Sequence, residues 1–322
     1  MKTPKWFLRK SLLSCLLWPF SILYLIGFYF VFIFRCFSSK TSKKAVICVG
    51  AIWAGGVGKT PIVRELATRI NAAVVMRGYG GRITDGHRAT QSDTAADIGD
   101  EAKMLSATGL PVYVGNRSES ICLINSRADE NAIILDDGFQ NPTIPKKLSI
   151  LVFDESLGIG NGLCLPAGPL REPLLPGLLR ADAIILIQSP NPNYQTGRLL
   201  RLAKILRRPV FYARKYIEDP GYTGKVVAFA GIGYPEKFFN SVRQLSGARL
   251  IESISFPDHH QYSKSDFVNL FAVARRYDAK LICTEKDWVK FPNNIGKKIK
   301  FLPLGISIGA DFYDWMNKKL KK

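Results

Sequence analysis

Residues 55–60, Gly-Gly-Val-Gly-Lys-Thr, have the types and spacing to grip a nucleoside triphosphate. Glycines let successive backbone N–H groups turn toward phosphate oxygens, and a helix start adds the positive end of its dipole. The lysine can reach the terminal phosphates, and the threonine hydroxyl can take a divalent cation. The flanks suit that reading. KAVICVG (44–50) is a short apolar run fit for a buried strand, and PIVRELATRI (61–70) carries apolar residues at helical spacing. Pro61 fits a first turn, where the N–H it lacks would be unpaired anyway. Ala54, Gly55, Gly56, Val57, Gly58, Lys59, Thr60 and Pro61 are therefore the expected nucleotide contacts. One letter departs from the usual G-x-x-x-x-G-K-S/T: position 53 is Trp53, not glycine.

A phosphate loop also needs an acid that can hold the metal at the end of a neighbouring strand. NAIILDDGFQN (131–141) supplies Asp136 and Asp137 directly after the apolar run Ala132 to Leu135. In doubly wound sheets, ligands bind outside those carboxyl ends. Either aspartate suits Mg2+, directly or through water. DIGDEAKMLS places Asp100 and Glu101 at the start of a helical pattern, a position where acids are ordinary helix capping. FPDHHQY holds His259 and His260, two of the three histidines, beside Asp258. Taken alone, that stretch reads as surface chemistry.

These residues need elements to position them. Apolar runs AVICVG, AAVVM, NAIIL, LSILVF and ADAIILI alternate with helical patterns, which predicts a parallel sheet covered by helices. GKVVAFAGIGYPEKFFNSV starts again as strand, glycine turn and helix, and AKLICTEKDW and IKFLPLGISI are expected to extend that second sheet. The basic stretch Arg207 to Gly224 reads as a linker. The expected class is α/β: a P-loop NTPase-like parallel sheet with helices on both faces, a second smaller α/β domain, and an N-terminal membrane helix. The predicted boundaries are 1–36 for the anchor, 37–206 for the nucleotide domain, 207–224 for the linker and 225–322 for the second domain.

From Ser11 to Phe34 no charged side chain occurs. As a helix that run is about 36 Å long, enough for a hydrocarbon core of about 30 Å. The following RCFSSKTSKK lacks the look of a signal-peptide cleavage site. Basic residues flank both ends, and Pro19 and Gly27 could bend the run, so spanning and one-leaflet insertion both fit. The 322-residue chain is 47% apolar, ample for sizeable cores. Its net charge of +19 implies an anionic partner: nucleic acid, acidic lipid or a phosphorylated substrate. A nucleic-acid binder would interleave basic and aromatic residues on one face, whereas the aromatics here concentrate in the apolar segment. The six cysteines show neither C-x-x-C pairs nor a disulfide framework.

Taken together, GGVGKTP, RGYGG, GDEAKML, LDDGFQ, NGLCLPAGPLREP, ADAIILI, FAGIGYPEKFF, FPDHHQY and TEKDWVK, in that order, resemble the tetraacyldisaccharide 4′-kinase family of lipid A biosynthesis. That family's loop also lacks the first standard glycine. Its usual Gly-Asn-Leu before the loop is Gly50-Ala51-Ile52 here, and Trp53 must pack somewhere or roof the nucleotide.

The resemblance implies a kinase that moves the γ-phosphate of ATP to the 4′-hydroxyl of a tetraacylated disaccharide 1-phosphate, giving lipid IVA. It implies work at the cytoplasmic face of the inner membrane, a lipid disaccharide substrate, and no nucleic acid or obligatory protein partner. By resemblance, Asp100 is the base, Glu101 lies nearby on metal or substrate, and His259 pairs with Asp100, ahead of His260. Lys59 and the loop amides are expected on the triphosphate, Thr60 with Asp136 or Asp137 on Mg2+, and Arg77 and Arg171 on substrate phosphate. The rival is a membrane-cycling partition-type ATPase, whose signature lysine falls where this chain has Ala54.

Overall fold

The structure is a computed structural model and describes residues 4–37, 40–126, 129–218, 221–258 and 260–321. The first eight strands are β1 (Ala45–Gly50), β2 (Ala72–Val75), β3 (His87–Arg88), β4 (Val112–Val114), β5 (Ala132–Asp136), β6 (Leu148–Asp154), β7 (Ala183–Ile187) and β8 (Val210–Ile217). β9 (Gly224–Ala230), β10 (Ala248–Ser255), β11 (Lys280–Thr284) and β12 (Lys300–Leu302) follow, then β13 (Leu304–Ile308). They form a nine-stranded sheet, β13-β8-β7-β6-β1-β5-β2-β4-β3, and a four-stranded one, β10-β9-β11-β12. The small sheet is wholly parallel, and the large one is parallel except at its edges, where β3 and β13 run antiparallel.

The expected strands AVICVG, AAVVM, NAIIL, LSILVF and ADAIILI are β1, β2, β5, β6 and β7. Their side chains are buried on both faces, which is why they read as unbroken apolar runs. The register of β1 against β5, Val49 opposite Asp136, brings the phosphate loop and the Asp-Asp pair to the same sheet edge. In the small sheet, Val226, Ala228 and Ala230 of β9 join one apolar cluster and Val227 and Phe229 another, as period-two alternation requires.

Two stretches behave differently from their sequence expectation. The span 207–224, read as a linker, contains β8, which pairs with both β7 and β13. IKFLPLGISI divides at Pro303: β12 extends the small sheet, whereas β13 crosses to the large one. The C-terminal helix Ala310–Lys321 then packs Phe312, Tyr313 and Met316 into the large core. Apolar periodicity marks that run as strand but carries no information on which sheet it joins.

The apolar segment forms one helix, Leu12–Cys36, and among the described residues it is the one helix long and apolar enough to cross a membrane. Pro19 and Gly27 sit within it without ending it. Most of its surface is bare, with Leu12, Leu16, Phe30 and Phe34 exposed. One side is polar and anchored. Ser21 Oγ donates to Cys164 O at 2.9 Å, Tyr24 OH donates to Arg171 O at 2.9 Å, and the Arg180 guanidinium lies 4.9 Å from the Phe32 ring centre.

Candidate active site

The phosphate loop leaves β1 and enters the helix Lys59–Ile70 through Gly58, whose φ of 83° favours glycine. A Cβ there would sit 3.0 Å from the Lys215 Nζ of β8, a side-chain end that can move, so the backbone conformation is what favours glycine. Gly55 and Gly56 are exposed and Val57 is buried, which leaves the bend accessible over an apolar floor.

Trp53 is buried and forms a bridge with Leu170. Its neighbours are tied to the same loop: Ala54 N donates to Pro169 O at 2.7 Å, and Arg171 N donates to Ile52 O at 2.7 Å. The Cβ position of Gly160 would fall 2.8 Å from the Trp53 ring. The departure at position 53 is therefore a packing anchor that fastens the phosphate loop to the loop 158–171.

Asp137 stands at the end of β5 in a left-handed conformation, φ 53°. Its Oδ1 lies 3.3 Å from Lys59 Nζ, and its Oδ2 accepts from Arg171 Nη1 at 2.8 Å. Burial raises the affinity of this carboxyl for a proton, but the two cations outweigh it and hold Asp137 below the ordinary aspartate range. Asp136 is different. It is almost wholly buried, and desolvation pushes its pKa up to about 7; Glu101 and Asp137 add to the rise, against Lys59 and Arg117. Oδ1 of each aspartate lacks a hydrogen-bond partner. Asp137 Oδ1 faces only the Lys59 ammonium and Asp136 Oδ1 faces no donor; such buried carboxylate oxygens fit a small divalent cation, which usually takes one or two carboxylates and fills its shell with phosphate oxygens and water. Among the described residues no cluster of three or more His, Cys, Asp or Glu could hold a metal, so the phosphates would have to complete the site.

Glu101 is exposed and near enough to act on the charge of Asp136, so the helix Asp100–Ala107 begins beside the Asp-Asp pair. RGYGG supports that helix start. A Cβ on Gly81 would meet Asp97 O at 2.6 Å, and one on Gly99 would meet Tyr79 O at 2.6 Å, so backbones touch where side chains would prevent it. Arg77 is exposed, and its charge acts on Arg117.

Asp100 is met from the second sheet by Lys290, with Nζ 3.6 Å from Oδ2. His259 lies outside the described residues. The His260 ring is committed elsewhere: Nε2 pairs with Asp266 Oδ2 at 3.1 Å, and the ring stacks on Phe256 at 4.7 Å.

Arg117 and Lys290 were not singled out from the sequence. Arg117 Nη2 donates to the carbonyls of Asp136 and Asp137 at 3.2 and 3.0 Å, bracing the turn from the helix Arg117–Asn125. Burial lowers its pKa, as expected for a desolvated cation. Its NRSES context carries no local signal; the spatial neighbourhood alone reveals it.

A glycine bend at the carboxyl edge of a mostly parallel sheet, with a lysine and a strand-end aspartate across it, defines a P-loop nucleotide-binding protein. Within that class the similarities are specific. Residues 13–321 match the model of LpxK, tetraacyldisaccharide-1-P 4′-kinase, and the chain belongs to that family. Proteins named tetraacyldisaccharide 4′-kinase resemble it over most of their length. That of Parvibaculum lavamentivorans is 44% identical over 250 residues, 75% of this chain and 72% of the relative. That of Paramagnetospirillum magneticum is 42% identical over 278 residues, 82% of each. That of Maricaulis maris is 39% identical over 265 residues, 80% and 77%. The fold matches a crystal structure of LpxK from Aquifex aeolicus in complex with ATP, with a TM-score of 0.76 at 23% identity, covering 96% of this chain and 99% of the other.

Proposed function

We propose that this chain transfers the γ-phosphoryl group of ATP to the 4′-hydroxyl of a tetraacyldisaccharide 1-phosphate. The observation that carries this reading is the convergence of Lys59, Arg171, the Asp137 carboxylate they share and the unpaired Asp136 Oδ1 at one sheet edge, in a chain of this family. Phosphoryl transfer needs chiefly positioning and charge neutralisation. The amides of Gly55 to Gly58 and the Lys59 ammonium grip the triphosphate, with Ala54, Val57 and Pro61 shaping the bend. Thr60 and the Asp136–Asp137 pair would hold Mg2+, with Glu101 near it, and the ion would supply charge neutralisation on the phosphate oxygens. Asp100 takes the proton of the sugar hydroxyl, with His259 as its partner. Arg171 exchanges its bond with Asp137 for substrate phosphate, and Arg77 offers a second contact.

The acceptor is an amphiphile held in a bilayer, so the enzyme must go to the inner membrane, with its site on the cytoplasmic side where ATP is. The Leu12–Cys36 helix favours one-leaflet insertion over spanning. Its contacts at Ser21, Tyr24 and Phe32 spread over about 16 Å of helix, and a face bonded to polar loop backbone cannot also lie in hydrocarbon. Two domains fit the sheets: one on the nine strands, including 304–321, the other over 224–302. Ala54 in place of the signature lysine disfavours the partition-type ATPase. Incubation with γ-labelled ATP, Mg2+ and the disaccharide lipid tests the reading. Label should move to the lipid; release of labelled inorganic phosphate alone would reject it.

A further inference from the structure

The motif TEKDWVK, residues 284–290, has no role in the mechanism above, yet the structure sets it between the two sheets. Asp287 is fully buried and accepts from Gly231 N at 2.9 Å and from Thr284 Oγ1 at 2.7 Å. Its second oxygen lies 3.4 Å from Lys290 Nζ. The Lys290 side chain is only 2% exposed. Its ammonium also donates to the His260 carbonyl at 3.3 Å and stands 3.6 Å from Asp100 Oδ2. Three oxygens therefore surround a group with three N–H donors. Two come from the small-sheet segment, and the third is the carboxylate that begins the helix Asp100–Ala107. A buried ammonium is costly without such partners, and removing one leaves an uncompensated charge.

The same turn has a second grip on the large sheet. Glu285 accepts from Arg64 Nη1 at 2.9 and 3.1 Å, and Arg64 belongs to the helix that begins with Lys59. One turn of the small-sheet segment thus touches both helices whose first residues do the chemistry. Lys290 meets an acidic head group, whereas Arg64 lies in mid-helix, away from the phosphate loop.

We propose that Lys290 is a positioning residue for phosphoryl transfer: fixed by Asp287, its ammonium aims the Asp100 carboxylate, so the base is ready only when the small-sheet segment is docked. The proposal rests on Asp100 being the base, and the two ideas fail separately. A double-mutant cycle of Asp100→Asn and Lys290→Met, assayed at saturating ATP and lipid, distinguishes them. Lys290→Met should lower kcat about 10–100-fold, the scale on which a misplaced catalytic group costs rate. KM for ATP should stay within a few-fold, and Lys290→Arg should recover part of the loss.

The double variant should be no slower than Asp100→Asn alone. If Asp100→Asn is itself nearly as active as wild type, the base assignment fails. If Asp100→Asn is slow but Lys290→Met is not, the positioning proposal fails by itself. If the two losses multiply, Lys290 acts somewhere other than Asp100, and the proposal is overturned. Arg64→Met is the control for docking alone: it cuts the other cross-link and should leave kcat within a few-fold. Should Lys290→Met fail to fold because the buried Asp287 loses its counter-ion, Lys290→Met/Asp287→Asn removes both charges. The kcat of that variant decides the question by the same criteria.

Discussion

Two lysines each hold an aspartate in this protein, and the two corners are built differently. Lys59 and Asp137, 3.3 Å apart, follow the neighbouring strands β1 and β5 of one sheet, with Arg171 on the far side of the carboxylate. Lys290 and Asp100 come from opposite sides of the boundary between the sheets. The first corner inherits its geometry from the β1–β5 register and exists whenever the large sheet is folded. The second exists only while the two sheets are docked. An enzyme made this way can bind nucleotide on a rigid platform and make the chemical step depend on assembly of the rest, which limits wasteful reaction with water.

The largest expected effect separates the corners directly. Asp100→Asn should lower kcat by about 10²–10⁴, the usual cost of losing a general base, with KM for ATP within a few-fold. A comparable rise in KM for ATP would show that the corners are not independent. Steady-state kinetics with purified protein and lipid acceptor provides the measurement.

Lys59→Met comes next. In the proposed mechanism it removes a charge aimed at the transferring phosphate, and a loss of about 10²–10³ in kcat is expected by analogy with other preorganised electrostatic contacts. Nucleotide affinity should also weaken, unlike the Asp100 variant. If both variants give the same kinetic pattern, the contrast between a binding corner and a chemical corner is lost.

Asp136 sharpens the comparison through pH. Its pKa is raised in the folded protein to about 7, from an unfolded value of 3.8. A raised carboxyl binds more protons folded than unfolded across that interval, so its contribution is full below the unfolded value and lost as pH rises through the folded one. Asp136→Asn does not titrate. Without nucleotide or metal, the variant should gain stability over wild type between pH 5 and 7, by at most about 1.4 kcal/mol per pH unit, and level off above. Denaturant melts at pH 5, 6, 7 and 8 test this. A difference constant across that range would mean that Asp136 is already ionised when the protein is folded.

The contrast between the corners also explains what was legible in the sequence. Gly55 to Thr60 and Asp136–Asp137 are contiguous motifs on strands buried on both sides, so residue type and apolar runs locate them without coordinates. The second corner joins residues from Asp100 to Lys290, with no local pattern linking them, and Lys290 reads simply as one more lysine in a basic chain. Arg117 is hidden for the same reason. β8 escaped because half of VFYARKYI is exposed, with Arg214 and Lys215 charged among those four residues, as a strand next to the sheet edge tolerates. Trp53 looked like a defect in a motif, and only its contact with Leu170 reveals an anchor.

The smallest effect tests how far the rigid corner extends. Tyr24, on the apolar helix, donates to the carbonyl of Arg171, whose guanidinium holds Asp137. Tyr24→Phe removes that bond and keeps the ring, so membrane partition should not change. The expected loss is about 0.5–1.5 kcal/mol, which thermal melting would register as a drop of a few degrees. Because the Arg171 backbone is also held through its N–H to Ile52 O, its guanidinium should keep its place and kcat should stay within about threefold. A much larger fall in kcat would mean that the helix tensions the site through Arg171. The rigid corner would then include the apolar helix as well as the large sheet.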